Sequence, residues 1–343
     1  MTRFGPAALE VPIIGAPMAG GPSTPELVGA VGSAGGLGLL AAGYLTTDAL
    51  ADQLETTRAG TDRPFGVNLF VPQRVEVDAD RFATYRRELE PIAAHYGAEL
   101  PSEPRWSDDE FDAKLSLLEA EPVDVVSLTF GCPADAVRRL RAAGSTVVGT
   151  VTSVEEARLA ASAGVDALCV QGPDAGGHRA TFDIAAEPGT ESLDDLLAAI
   201  GEVTELPLIA AGGVGDAARI AELLDAGAVA VQLGTLLLRT DEAGTKPAHA
   251  DALADPRFSQ TLVTRAFSGR PARALANHFT DAHSASAPPY YPQLHYLTSP
   301  LRAAAGKAGD AESLNLWAGT GHANAAAEPA EKVIRDLWAA TGR

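Results

Sequence analysis

The stretch "SVEEARLAASAGVDALCVQG" (153–172) holds one complete structural unit. Ser153 followed three residues later by Glu156 forms a capping-box pattern, with Ser153 as N-cap and Glu156 reaching back. The amphipathic run ends in Ala163-Gly164, and the glycine suits a helix C′ position that needs left-handed backbone. "DALCV" (166–170) then reads as a short, nearly continuous apolar strand, the pattern of a parallel strand buried on both faces. The same order recurs in "VGSAGGLGLLAAG" (31–43), "RLRAAGSTVVGTV" (139–151) and "LLDAGAVAVQLG" (223–234). Asp216 in "GDAARIAELLDAG" offers another N-cap.

Extending this reading gives eight strand candidates: 11–17, 37–43, 65–71, 124–130, 146–151, 167–172, 207–213 and 230–238. Helix-patterned segments separate most of them. Eight alternating units argue for an α/β fold of the (β/α)8 TIM-barrel type, with a doubly wound sheet as the alternative. Two segments break the rhythm: 72–121, and the tail after 239, rich in Ala, Pro and Gly. The expected organisation is a barrel from 1–71 and 122–238. A smaller, mainly helical lid lobe from 72–121 and 239–343 would cover its C-terminal mouth, with the C-terminal end free to return to the barrel.

Composition narrows the function. The 343 residues, 46% hydrophobic, allow a sizeable core, and the formal net charge of −19 opposes nucleic-acid binding. Cys132 and Cys169 form no CxxC or zinc pattern and read as buried thiols in a reducing compartment. The histidines show no metal-ligand spacing, so no metal is expected. No apolar run approaches a membrane span or a signal h-region, so a cytoplasmic protein without membrane contact is expected, as a monomer or homodimer.

In a barrel the chemistry sits at the C-terminal ends of strands. "AAGGVGD" places Ala211, Gly212 and Gly213 between a strand and a helix start, and "QLGT" places Gln232, Leu233, Gly234 and Thr235 at the next strand. Loops after the seventh and eighth strands commonly bind phosphate. The N–H groups of Gly213, Gly234 and Thr235, with the Thr235 hydroxyl, are expected to hold one. Asn68 and Gln171 lie opposite, where amides match the mixed donors and acceptors of a flavin's pyrimidine edge. Ala16, Pro17 and Met18 would lay backbone and thioether against the flat ring. In "QGPDAGGHRATF" (171–182), Gly176 and Gly177 permit close backbone approach, and His178 adds a ring that exchanges protons near neutral pH. His249, His278 and His283 read as surface residues, Trp317 as packing on the lobe or else bordering the flavin, and Cys132 as a small packed residue rather than a nucleophile.

With these residues in view, the chain resembles the nitronate monooxygenases, FMN-dependent barrels once called 2-nitropropane dioxygenases. The matching pieces are "PIIGAPMAGG", "FGVNLFV", "VQGPDAGGHRATF", "LIAAGGVGD", "AVQLGT" and "LNLWAGTGHANA", from residue 12 to about 325. The last points to the class I type. The resemblance implies FMN contacts at Asn68, Gln171, Gly176, Gly213 and Gln232–Thr235, and a catalytic role for His178. It implies oxidation of alkyl nitronates through a flavin semiquinone, completed by oxygen, to a carbonyl compound and nitrite.

Two places depart from the family pattern. Where some members carry histidine at the end of strand four, this chain has Thr129. In "YYPQLHYLTSPLR" Tyr291 is present, but His295 and Ser299 stand where a later tyrosine and lysine are found. Thr129, Tyr291 and His295 are therefore the expected substrate-side residues. An NAD(P)H-dependent enoyl reductase and a non-catalytic FMN-binding protein stay open as alternatives.

Overall fold

The computed structural model describes residues 2–4 and 7–343; Met1, Gly5 and Pro6, within the first expected barrel segment, lie outside the described residues. Eight parallel strands close into a barrel: β1 (Ile13–Gly15), β2 (Leu37–Ala41), β3 (Phe65–Phe70), β4 (Val125–Thr129), β5 (Thr146–Val151), β6 (Ala167–Gln171), β7 (Leu208–Ala211) and β8 (Ala230–Leu233). Closure comes from β8 pairing with β1, Val231 opposite Ile13. The TIM-barrel expectation is met, and the doubly wound alternative is excluded.

The repeated unit folds as its sequence dictates. Ser153 Oγ accepts the Glu156 N–H at 3.2 Å, opening helix α6 (Val154–Ala163). Gly164 closes it in left-handed backbone, φ +88°. Gly35, Gly144 and Gly227, the equivalents in the other units, also have positive φ. The Glu156 carboxylate departs from the expected reciprocal cap. It accepts the Thr152 N–H at 2.6 Å and, across the barrel rim, the Phe182 N–H at 2.7 Å. A helix cap therefore fastens the far end of the His178 loop.

The strand expected over 230–238 is shorter. It ends at Leu233, and Thr235–Leu237 form one tight 3-10 turn. Gly234 lets the chain leave extended geometry there, so that Leu236 and Leu237 enter the core while Thr235 stays at the rim.

Two apolar layers build the barrel. Ile14, Leu39, Val125, Val148, Cys169 and Ile209 fill its interior. Their outward neighbours pack against the ring of helices α1 (Pro25–Ser33), α2 (Thr47–Gly60), and those that follow each later strand. The 72–121 segment divides. Its first helix, α3 (Ala79–His95), joins a separate cluster, Phe82, Tyr85 and Leu89 meeting Phe267, Phe279, Leu294 and Leu297. Its second, α4 (Phe111–Ala120), sends Phe111, Leu115 and Leu118 into the barrel's outer core. The C-terminal helix (Ala330–Ala340) likewise returns to the barrel with Val333 and Ile334.

The lobe also contains a sheet that helical patterning does not show. Thr261–Thr264 pairs antiparallel with Ala272–Leu275, and the latter pairs with Gly177–His178. The His178 loop is thus an edge of the lobe's sheet as well as the end of a barrel strand.

Gly38 in β2 measures how closely strand and helix meet: a Cβ there would lie 2.6 Å from both the Cα and the carbonyl oxygen of Val28 on α1. Backbone cannot swing aside as a side chain can. Gly38→Ala is expected to cost about 1–3 kcal/mol of stability, read as a lowered urea midpoint at unchanged slope.

Candidate active site

One cavity occupies the C-terminal mouth of the barrel. It is lined from β1 by Ala16, Pro17 and Met18, from β3 and β4 by Asn68 and Thr129, and from β6 and its loop by Gln171, Gly176, Gly177 and His178. The far side is Ala211, Gly212 and Gly213 after β7, and Gln232, Leu233, Gly234 and Thr235 after β8, with His295 from the lobe.

The β7 and β8 ends have the character of an anion cradle. The N–H groups of Gly213, Gly234 and Thr235 find no protein acceptor among the described residues. Gly213 has φ +70°, and a Cβ on Gly234 would sit 3.3 Å from Ala16 Cβ, against the space where a ligand would lie. Thr235 Oγ1 accepts the Gly319 N–H at 2.9 Å, which leaves its own proton free to donate outward. Gly319 belongs to the tail motif, and the tail is zipped across the loops after β6, β7 and β8 and onto the strand Ala272–Leu275. Thr320 donates to Asp174 O at 3.2 Å, Ala318 to Arg273 O at 3.3 Å, and Asn324 Nδ2 to Gly215 O at 2.9 Å. His322 is buried within this strap, its Nδ1 3.3 Å from Gly319 O.

The two amides are held differently. Asn68 Nδ2 donates to Ser127 Oγ and Thr129 Oγ1, both at 2.8 Å, while Asn68 Oδ1 has no protein donor among the described residues. Gln171 Oε1 accepts the Ala180 N–H at 2.9 Å and Gln171 Nε2 donates to His178 O at 3.0 Å, so this side chain also shapes the loop that carries the histidine.

His178 stands at the lobe side of the cavity. Its Nε2 lies 2.8 Å from Ser268 Oγ, and Tyr291, Trp317, Phe130 and Phe70 surround its ring with centroids 5.5–6.4 Å away. Burial, then the guanidiniums of Arg270 and Arg302, push its pKa down to about 3. The ring is neutral at physiological pH. Neither arginine has a carboxylate within ion-pair distance among the described residues. Arg270 donates to Thr181 O at 2.6 Å and Gln73 Oε1 at 2.7 Å and lies over the Phe130 ring. Arg302 donates to Thr298 Oγ1, Asn315 Oδ1, Ser299 Oγ and the His295 carbonyl. It also faces His295 Nδ1 at 3.3 Å, which fixes that ring as the neutral Nε2–H tautomer because arginine has no lone pair to offer.

Several expectations need correction. Tyr291 does not line the cavity; its hydroxyl donates to Tyr44 Oη at 3.1 Å, and Tyr44 lines it instead. His249 is no surface residue: Nε2 donates to Trp317 O at 3.1 Å, the ring borders the cavity, and burial brings its pKa to about 4. His283 is buried beside Phe279 and Tyr85, whereas His278 is exposed as expected. Trp317 borders the cavity rather than only packing. Cys132 behaves as read, its thiol pushed up to about 12 by burial. Arg302, Asn315 and Lys246 also line the site, and sequence reasoning did not find them. The "R" of "SPLR" one turn after Ser299 was the available signal for Arg302.

A parallel barrel with unpartnered N–H groups at its seventh and eighth strands and a neutral buried histidine opposite has the layout of a barrel enzyme. The nitronate monooxygenase family model matches residues 6–339. A probable nitronate monooxygenase from Staphylococcus aureus (strain Newman) is 34% identical over 96% of this chain and 94% of that protein. Among solved structures, a nitroalkane oxidase from Streptomyces ansochromogenes superposes with a TM-score of 0.93 at 46% identity, covering 97% of this chain and 96% of that one. FabK from Thermotoga maritima, as its M276A mutant, matches with a TM-score of 0.74 at 26% identity, covering 97% and 93%. The chain belongs to the nitronate monooxygenase family and is a flavin-dependent oxidoreductase. No helix among the described residues is long and apolar enough to cross a membrane.

Two outcomes follow from this geometry. A Cβ on Gly176 would lie 2.5 Å from Gly319 N and 2.6 Å from Ala318 C. Gly176→Ala must therefore push the tail strap off the cradle, and the variant should purify with sub-stoichiometric flavin, read from visible absorbance. The pH profile of stability is the second. His178 and His249 fall below their ordinary value of 6.5 on folding, so the unfolded chain binds more protons at acid pH. They carry no penalty above about pH 6.5 and cost growing stability as pH falls from there toward about 3–4. His178→Asn should flatten this acid limb in urea titrations.

Proposed function

We propose that this enzyme oxidises alkyl nitronates with molecular oxygen to a carbonyl compound and nitrite, using FMN, with His178 in the active site. The observation that carries this reading is the pairing of a neutral histidine with two buried arginines that lack carboxylate partners. Such a pocket favours an anion and disfavours further positive charge. It suits the nitronate anion better than the neutral nitroalkane. A histidine with its pKa near 3 is also a weak base for removing a carbon-bound proton.

The cradle suits FMN because it offers three unpartnered N–H groups and one hydroxyl to a terminal phosphate, and the free Asn68 Oδ1 offers an acceptor to the ring edge. When bound, the flavin supplies the one-electron oxidation. The chain's own residues bind and orient. Ser268 can donate to His178 Nε2, and in that tautomer Nδ1–H is the free donor for a nitronate oxygen. The aromatic rings around His178 keep water from the reacting atoms. The barrel segments 1–71 and 122–238 would hold the FMN, while the lobe from 72–121 and 239–343, less the α4 and C-terminal helices, would build the substrate wall; the separate lobe cluster supports that division.

Oxygen uptake by the flavin-loaded protein with propionate 3-nitronate, without nicotinamide, is expected to be rapid and accompanied by nitrite. 3-Nitropropionate, which keeps the carboxylate but carries an uncharged nitro group, should be turned over far more slowly at the same pH. His178→Asn should lower kcat/KM for the nitronate roughly 10- to 100-fold, the worth of a hydrogen bond to a charged group. No uptake by a visibly yellow protein, or full turnover by the variant, would sink the respective part of the reading.

A further inference from the structure

Tyr44 follows the end of β2 in left-handed backbone, φ +70°, a conformation that a residue with a Cβ seldom adopts. It is held there by a buried charge pair from the 72–121 segment. The Tyr44 N–H donates to Asp109 Oδ1 at 2.8 Å. Asp109 Oδ2 accepts from Lys114 Nζ at 2.8 Å, and Lys114, 1% exposed, also donates to Ala42 O at 3.0 Å. One ion pair thus grips the chain at the Ala42 carbonyl and at the Tyr44 amide. The phenol ring stacks on His295 at 3.8 Å and meets Phe70 edge-on. Its oxygen already accepts the Tyr291 proton, and its own proton has no acceptor among the described residues. Tyr44 lines the cavity together with His178 and Arg302.

A strained backbone, a largely buried ion pair and a second tyrosine therefore fix one further unspent donor, besides the Nδ1–H of His178, at the substrate end of the cavity. Hydroxyl protons in such a place are seldom left idle. We propose that the Tyr44 hydroxyl donates a hydrogen bond to the substrate anion, and that Asp109 and Lys114 are positioning residues that hold it in place. The proposal rests on the reading of the pocket as a nitronate site and adds a specificity residue to it.

The test compares Tyr44→Phe with two neutral replacements of the ion pair, D109A/K114M and D109N/K114M, all at equal flavin content. Both double variants remove the charges and the Lys114 bond to Ala42. Only the asparagine keeps an acceptor opposite the Tyr44 N–H. Two readouts are used: KM and kcat with propionate 3-nitronate, and the Kd of inorganic nitrate from the change in flavin absorbance. Y44F is expected to raise KM and the nitrate Kd about tenfold, with kcat moving less than about twofold. D109A/K114M should match it, adding Y44F to D109A/K114M should cost nothing more, and D109N/K114M should recover most of the loss.

Unchanged nitrate affinity in Y44F, additive losses, equal weakness of the two double variants, or a wild-type protein that binds no nitrate would each overturn the proposal. A wild type that binds nitrate but consumes no oxygen with the nitronate would instead sink the functional reading, and the nitrate series alone would still decide the role of Tyr44.

Discussion

The site depends on two guanidiniums buried without carboxylates. Arg270 is fully buried and Arg302 9% exposed, in a chain whose net charge is −19. Burying a charge is costly unless it is paired or well hydrogen-bonded. Here the compensation comes from neutral acceptors and aromatic faces: Thr181 O, Gln73 Oε1 and the Phe130 ring for Arg270, and Thr298, Asn315, Ser299 and the His295 carbonyl for Arg302. Burial and these two cations together hold His178 neutral, and burial with Arg302 does the same for His295. A carboxylate in place of any of those neutral acceptors would relieve the cost and also cancel the field that an anionic substrate meets.

The lobe is what keeps those arginines dry. Arg270 and Ser268 lie just before the strand Ala272–Leu275 that pairs with Gly177–His178, so one short ribbon brings both the cation and the histidine's partner to the mouth. Glu156 and Gln171 fasten the same loop from the barrel side, through the N–H groups of Phe182 and Ala180, and Gln73 of the 72–121 segment donates to the carbonyl of Phe182. The His178 loop is tied to both lobes, which sets the ring's place more firmly than a free β6–α loop would.

The fold was legible because each barrel unit repeats a local grammar: a cap, an amphipathic turn, a left-handed glycine and a buried strand. Those signals act over fewer than about fifteen residues and survive without tertiary information. The cradle proposed for the cofactor was legible for a related reason. It is made of backbone N–H groups, and a ligand against backbone requires glycine, which the sequence displays at Gly176, Gly213 and Gly234. The substrate side was not. Tyr44, Arg302, Trp317 and His249 reach the cavity from segments 15–273 residues apart, brought together by lobe packing alone. Tyr291 was found for its motif and misplaced by one contact, because only the structure shows that it stands behind Tyr44. Asp109 sits in a polar run that reads as a solvated helix start, and its role depends on a partner 65 residues earlier.

This division between the two sides has a physical consequence for how the site can vary. Contacts made by backbone N–H groups persist when side chains change, provided the glycines that admit the ligand remain. Contacts made by side chains from the lobe do not. The pocket's arginine, Arg302, lies one helical turn beyond Ser299 and donates to its hydroxyl at 2.9 Å. The cofactor half constrains sequence locally. The substrate half depends instead on side chains that only the packing of distant segments brings together.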